Sequence, residues 1–342
     1  MTMGAPTPYE RELAGLLCER FPSLEQVRFC NSGTEANLMA LSTARVTTGR
    51  NTLLAFNDGY HGGVIKFLGG HCVLNMPFDI VLADYNDIDG TSSLIDQVGS
   101  DLAGVIVEPI LGAGGNIQGN RHFLKMLRQK TKETGALLIF DEVKTARLGP
   151  AGVQGMVGIE PDLTTIGKFI GGGLPTGAFG GSAEVMEQFN PKRQGALAHA
   201  GTFNNNVLSM AAGCAAMSKI YTPERAAEFL DWSEKFRLSL NKMFASKEVP
   251  MYANGLGSMI AIHFSSKPTK RPSDITPGCR SLRPLLHMEL LLDGLLICGR
   301  GDLFLSLPMN DEHLSETRGA LERFADRYKG LIEQVLAEDP IA

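Results

Sequence analysis

Short apolar runs, each closing in a polar or glycine-rich turn and separated by amphipathic stretches, constrain this chain more than any other feature. QVRFC (26–30), NTLLAF (51–56), FDIVLAD (78–84), LAGVIVEP (102–109), ALLIFDEV (136–143) and PDLTTIGK (161–168) read as strands. Runs this apolar, about four to eight residues long, suit strands covered on both faces. Residues 9–20 form an amphipathic helix with Leu13, Leu16 and Leu17 on one face. NSGTEANLMALSTARVTTG reads as a turn and a helix, with Ser32 or Thr34 as its cap and Gly49 at its end. FLKMLRQKTKETG (123–135) is a second helix ending in glycine. Strands alternating with helices predict an α/β fold on a largely parallel, doubly wound sheet.

The C-terminal third has another rhythm. Residues 206–245 read as mostly helical. Short strands follow at GSMIAIHF (257–264), GLLICG (294–299) and DLFLSLP (302–308), with helices at about 281–293 and 311–337. The expected organisation is a large domain over 1–245 and a small α+β domain over 246–342.

Composition excludes several classes. The net charge of −5 and the absence of a basic block argue against nucleic acid or an anionic membrane as partner. The six cysteines contain no CxxC pair, which favours free thiols over a metal or disulfide framework. No apolar run approaches the roughly 20 residues that span a bilayer. The first residues lack the pattern of a secretory leader, so a cytoplasmic location is expected.

In an open parallel sheet the C-terminal strand ends converge on one crevice. Four stretches lie at such ends: Asn31-Ser32-Gly33-Thr34, Glu108-Pro109, Asp141-Glu142-Val143 and Gly167-Lys168. Ser32-Gly33-Thr34 opens a helix and is either a plain cap or a seat for an anion. It is not a Walker loop, and GAGGNI (112–117) lacks the third glycine of a dinucleotide fingerprint. Asp141 closes the apolar run ALLIF and is either a turn residue or the counter-ion of a buried cation. Lys168 is either a solvated charge or an amine whose pKa desolvation lowers, which then forms Schiff bases. FNDGYHGG (56–63) adds Tyr60, a flat ring among glycines. Pyridoxal phosphate suits all of these parts. Its phosphate meets the helix N-terminus, its aldehyde Lys168, its ring nitrogen Asp141, and its faces Tyr60 and Val143.

The chain resembles the class III (subgroup II) aminotransferases of PLP fold type I. The resemblance rests on NSGTEANLMAL, YHGG, VIVEPILGAGG, LLIFDEVKTARLGPAGVQ, PDLTTIGKFIGGGLPTGAFGG and GTFNNNVLSMAAG, which cover most of the chain in order. Within that class it is most similar to the β-amino acid (β-phenylalanine type) aminotransferases, and next to glutamate-1-semialdehyde 2,1-aminomutases. This implies a mostly parallel, seven-stranded-type sheet. It also implies that Lys168 forms the internal aldimine and moves the proton, and that Asp141 holds the pyridine nitrogen. Ser32, Gly33 and Thr34 would bind the phosphate, Tyr60 and Val143 would sandwich the ring, and Glu108 would belong to its hydrogen-bonding shell. Thr202 would reach the phosphate of a neighbouring subunit in a homodimer, and Arg300 would pair with a substrate carboxylate. His61 and His199 receive no role.

Two departures qualify the likeness. The family pattern carries a further segment ahead of GAPTPYERELAGLL, so a shortened and catalytically impaired PLP-binding relative is one alternative. Ala113 stands where ornithine-type enzymes carry a glutamate, which disfavours ornithine-like substrates. The expected activity is transamination between a (β-)amino acid or related carboxylated amine and a 2-oxo acid. A 2,1-aminomutase is the other alternative.

Overall fold

The structure, a computed structural model, describes residues 5–339. They form two compact units. One runs to Gly112 and resumes over Gly119–Ala227; the other joins Ala113–Gln118 to the residues from Glu228 onward.

The first unit is built on seven strands: β1 (Gln26–Cys30), β2 (Thr52–Phe56), β3 (Ile80–Ala83), β4 (Leu102–Val107), β5 (Leu137–Asp141), β6 (Leu163–Gly167) and β7 (Gly177–Gly181). Their spatial order is β1-β7-β6-β5-β4-β2-β3. Strands β3, β2, β4, β5 and β6 run parallel to one another, as expected. Strand β7 runs antiparallel to both β6 and β1. Its sequence, GAFGG, has too little apolar character to announce a strand. Its glycines stand where an added Cβ would meet the main chain of Ser32, Gln26 and Asp162, so close backbone approach, not side-chain burial, selects these residues.

Helices cover both faces. They are α1 (Pro8–Arg20), α2 (Gly33–Thr48), α3 (Ile88–Val98), α4 (Arg121–Thr134), α5 (Gly152–Val157), α6 (Ala183–Met186) and α7 (Val207–Ala215). Ala36, Ala40, Leu41 and Ala44 of α2 pack with Leu53, Ile106, Ile139 and Phe179 of the sheet. The small alanines bring α2 close to the strands. Leu13 and Leu17 of α1 pack with Ile166, Ala178, Met210 and Cys214. Burying both faces explains the unbroken apolar runs, and each large side chain so buried contributes roughly 1.5–3 kcal/mol. Helices α2 and α4 end on Gly49 and Gly135 in left-handed geometry.

Helix α8 (Pro223–Ser246) carries the division between the units. The second unit contains an antiparallel sheet of β8 (Tyr252–Leu256), β9 (Met259–His263) and β10 (Asp302–Phe304), with helices α9 (Pro277–Leu292) and α10 (Asp311–Ala337). Residues 294–299, expected as a strand, are irregular. The chain turns after α9 at Gly294 (φ 83°) and again at Gly301 (φ 87°), and Cys298 and Gly301 are joined in a local turn. Strand β8, YANGL, was not foreseen because asparagine and glycine interrupt it. Among the described residues no helix is long and apolar enough to cross a membrane, and no His/Cys/Asp/Glu group could hold a metal. The six cysteines are free.

Candidate active site

Asp141 is the last residue of β5 and is buried. Its Oδ2 accepts from His61 Nδ1 at 2.7 Å and from Asn37 Nδ2 at 2.8 Å. Its Oδ1 accepts the N–H of Val143 at 3.0 Å. Thr165 lies 3.5 Å from Oδ1, but its single hydroxyl proton is better placed on Asn37 Oδ1 at 2.6 Å. Oδ2 is therefore fully engaged, whereas Oδ1 keeps acceptor capacity.

The adjacent acid has a different task. Glu142 accepts the N–H groups of Val153 and Gln154 and the hydroxyl of Thr145, at 2.8–2.9 Å, and thereby caps the start of α5. Burial pushes its carboxyl up, and those donors oppose the shift. Of two consecutive carboxylates, one is consumed by the fold and the other is held ready.

The FNDGYHGG stretch forms the turn after β2. Asp58 adopts positive φ (62°), and a Cβ on Gly62 would come within 2.7 Å of Thr34 Cβ, so glycine leaves room for α2's first turn. The N–H of Tyr60 donates to Glu108 Oε2 at 3.0 Å, and Asn37 Nδ2 also donates to the carbonyl of His61 at 2.9 Å. These bonds anchor the turn while leaving the Tyr60 side chain exposed. Glu108 follows β4 directly, and its Oε1 accepts the N–H of Gly112 at 3.1 Å.

Three buried titratable groups thus face one another. Burial alone would lower the His61 pKa; its bond to Asp141 and the charges of Asp141 and Glu108 outweigh this and hold it above the ordinary histidine range. Burial pushes the Glu108 carboxyl up, and Asp141 reinforces the shift against the opposing pull of His61 and two N–H groups. Breaking a buried pair such as His61–Asp141 from one side costs about 3–5 kcal/mol.

The start of α2 lies beside this cluster. Ser32 is its cap and accepts the Glu35 N–H at 3.2 Å. Among the hydrogen bonds of the described residues, none engages the N–H of Gly33 or Thr34. A Cβ on Gly33 would lie 2.5 Å from Val143 Cγ1, and one on Gly167 would lie 3.4 Å from the same atom and 3.7 Å from the Gly33 N. The ends of β5 and β6 and the start of α2 therefore meet. Strand β6 stops at Gly167, one residue before the expected end. Lys168 opens a single 3-10 turn with φ 54°. Left-handed backbone at a non-glycine residue is uncommon and often marks a functional constraint. Lys168 is exposed, so this chain by itself does not supply the expected desolvation.

Two further candidates stand on other segments of the chain. Thr202 is exposed, on a loop held by Asn204, which accepts from Asn31 Nδ2 at 3.0 Å. It borders a cavity of ≈ 490 Å³ shared with Arg28, His199 and Asn205. Arg300 belongs to the second unit, where its Nη2 donates to Asp302 at 2.9 Å. Sequence reasoning left His61 without a role and missed Asn37 and Thr165. The adjacency of His61 to Tyr60 was the one available signal, since side chains gathered from β2, α2, β5 and β6 leave no spacing to read.

Comparison with known proteins agrees with this geometry. Residues 3–324 match the family model for aminotransferase class-III. The chain is 45% identical to beta-phenylalanine transaminase of Variovorax paradoxus over 94% of this chain and 74% of that protein. It is 39% identical to glutamate-1-semialdehyde 2,1-aminomutase 2 of Geobacillus thermodenitrificans, covering 96% and 80%. The crystal structure of a beta-phenylalanine aminotransferase from Variovorax paradoxus superposes with a TM-score of 0.94 at 44% identity, covering 96% of this chain and 76% of that one. The chain belongs to the class III aminotransferases, a pyridoxal phosphate-dependent family.

Proposed function

We propose that this enzyme moves the amino group of a β-amino acid, or a related carboxylated amine, to a 2-oxo acid, with its chemistry at the ends of β4, β5 and β6. The observation that carries the reading is the state of Asp141, a buried carboxylate with Oδ2 engaged and Oδ1 still able to accept. The residues present fit pyridoxal phosphate. The N–H groups of Gly33 and Thr34 await an acceptor at a helix N-terminus, which suits a phosphate. Gly33 is the residue whose missing Cβ keeps room beside Val143.

When bound, pyridoxal phosphate supplies an aldehyde for the amine and a ring that draws electron density from the reacting carbon. In this reading Lys168 would hold that group through Nζ, and its amine is the group on this chain that would move a proton at the reacting carbon. Such positioned proton transfer is worth about 10²–10⁴-fold in rate. Asp141 Oδ1 would be the acceptor for the ring nitrogen and Tyr60 and Val143 would cover the two faces, while Glu108 fixes the Tyr60 backbone. Thr34 adds its hydroxyl to the phosphate site; Ser32 contributes mainly by capping α2. Arg300 is assigned the substrate carboxylate, since guanidinium pairs with carboxylate in bidentate fashion.

The reading includes a cytoplasmic homodimer in which Thr202 serves the neighbouring phosphate site. Six free thiols suit a reducing compartment, and Thr202 lies at the surface.

The second reading is a 2,1-aminomutase, supported by the 39% identity to such an enzyme. One assay separates the two. β-Phenylalanine turnover that requires added 2-oxoglutarate, with stoichiometric glutamate, supports the aminotransferase. Conversion of glutamate 1-semialdehyde with no 2-oxo acid, and none of β-phenylalanine, supports the aminomutase.

A further inference from the structure

His61 is the buried group that the reaction as assigned so far leaves unused. It lies 2% exposed between two structural tasks. Its Nδ1 meets Asp141 Oδ2 at 2.7 Å, and its carbonyl takes the Asn37 Nδ2 that also binds Asp141. A carboxylate oxygen only accepts, so Nδ1 carries the hydrogen and the ring is fixed in that orientation. The bond has two consequences. It occupies Oδ2, which leaves Oδ1 as the oxygen able to accept anything further. It also ties the turn that presents Tyr60 to the same carboxylate, because residues 60 and 61 share a backbone held at one side by Glu108 and at the other by Asn37.

We propose that His61 is a positioning residue for the cofactor: by donating from Nδ1 to Asp141 Oδ2 it orients Oδ1 toward the ring nitrogen, and through the same turn it couples that contact to the placement of Tyr60. The proposal rests on the reading of Asp141 given above. It assigns His61 no contact with substrate and no proton transfer. Loss of the Nδ1 donor would free the Asp141 carboxylate to rotate, with only Asn37 and the Val143 N–H left to hold it. The ring nitrogen would then lose a well-placed acceptor and part of its proton occupancy.

The test uses the full chain loaded with pyridoxal phosphate labelled with ¹⁵N in the ring. His61→Leu removes the donor, and His61→Asn keeps an N–H near the Nδ1 position. The readouts are the ring ¹⁵N chemical shift, which separates protonated from free pyridine nitrogen, and the cofactor Kd. Asp141→Asn is the reference. The expected result is a His61→Leu shift moved toward that of Asp141→Asn with about tenfold weaker cofactor binding, and a His61→Asn shift close to wild type. Thermal unfolding of both variants identifies a misfolded His61→Leu; the ¹⁵N shift of His61→Asn then decides, and a value at the Asp141→Asn position overturns the proposal. A wild-type shift and Kd in folded His61→Leu also overturn it. If Asp141→Asn itself leaves the ¹⁵N shift at the wild-type value, the reading of Asp141 fails first and the role of His61 falls with it.

Discussion

Two buried histidines occupy opposite electrostatic worlds in this protein. In the first unit, His61 faces Asp141 and Glu108, and those carboxylates hold its pKa above the ordinary range despite burial. In the second unit, His263 donates from Nε2 to the carbonyl of Gly115 at 2.8 Å and faces Arg283, whose Nη2 lies 3.3 Å from Nδ1. Burial together with the Arg283 and Arg280 charges pushes it down to about 4, against the pull of that carbonyl. The residue type is the same and the burial similar; the partners decide. A neutral His263 satisfies one carbonyl and one guanidinium and needs nothing else. The His61 cluster concentrates acidic and basic groups around an oxygen that keeps room for a further donor. The His263 arrangement is complete within the fold, and the His61 cluster is the one to which we assign chemistry.

Changes at the first unit's strand ends should cost the most activity. Asp141→Asn is expected to lower turnover by roughly 10²–10³-fold, the scale of removing one preorganised electrostatic partner. The neighbouring Glu142→Gln should instead lower stability by about 1–3 kcal/mol, through α5's cap, and spare turnover in the folded fraction. Steady-state kinetics beside chemical unfolding separates them; equal kinetic losses would erase the contrast between the two acids.

The pH dependence sharpens the histidine comparison. The folded pKa of His263, about 4, is depressed, so its contribution is present above the unfolded value of roughly 6.5 and is lost as pH falls toward 4. A gap of about 2.5 pH units corresponds to roughly 3 kcal/mol. His61 has the opposite sign: its folded pKa is raised, so its contribution is present below about 6.5 and lost as pH rises through the folded value. Unfolding free energy measured across pH should therefore show an acid limb that His263→Gln flattens and His61→Asn leaves in place. An acid limb unchanged in His263→Gln contradicts the assignment of its charge state.

The smallest expected effect concerns shape. Gly33→Ala places a Cβ 2.5 Å from Val143 Cγ1, an overpacking worth about 1–3 kcal/mol. Its signature should be weaker pyridoxal phosphate binding, read by equilibrium dialysis. Unchanged affinity would mean that Val143 moves freely and does not define the site.

The legibility of these features follows from their physical origin. Strands β2, β4 and β5 were readable because burial on both faces makes them almost continuously apolar, and Asp141 and Lys168 stood out as polar groups at the ends of strand-like runs. Strand β7 was not readable, since GAFGG is chosen for backbone approach to Ser32, Gln26 and Asp162. Residues 294–299 carry strand-like side chains, yet turns at Gly294 and Gly301 deny them a partner. Asn37, Thr165 and His61 escaped because each lies on a different element and only the fold brings them to Asp141. The unlike fates of Asp141 and Glu142 were equally hidden, for they depend on where α5 begins.

The visible absorption spectrum of the chain with added pyridoxal phosphate, beside Lys168→Ala, tests the central claim most directly. The account predicts a band that needs Lys168, is bleached by β-phenylalanine, and returns with 2-oxoglutarate. A spectrum identical in wild type and Lys168→Ala, or a band indifferent to the amine, would contradict it.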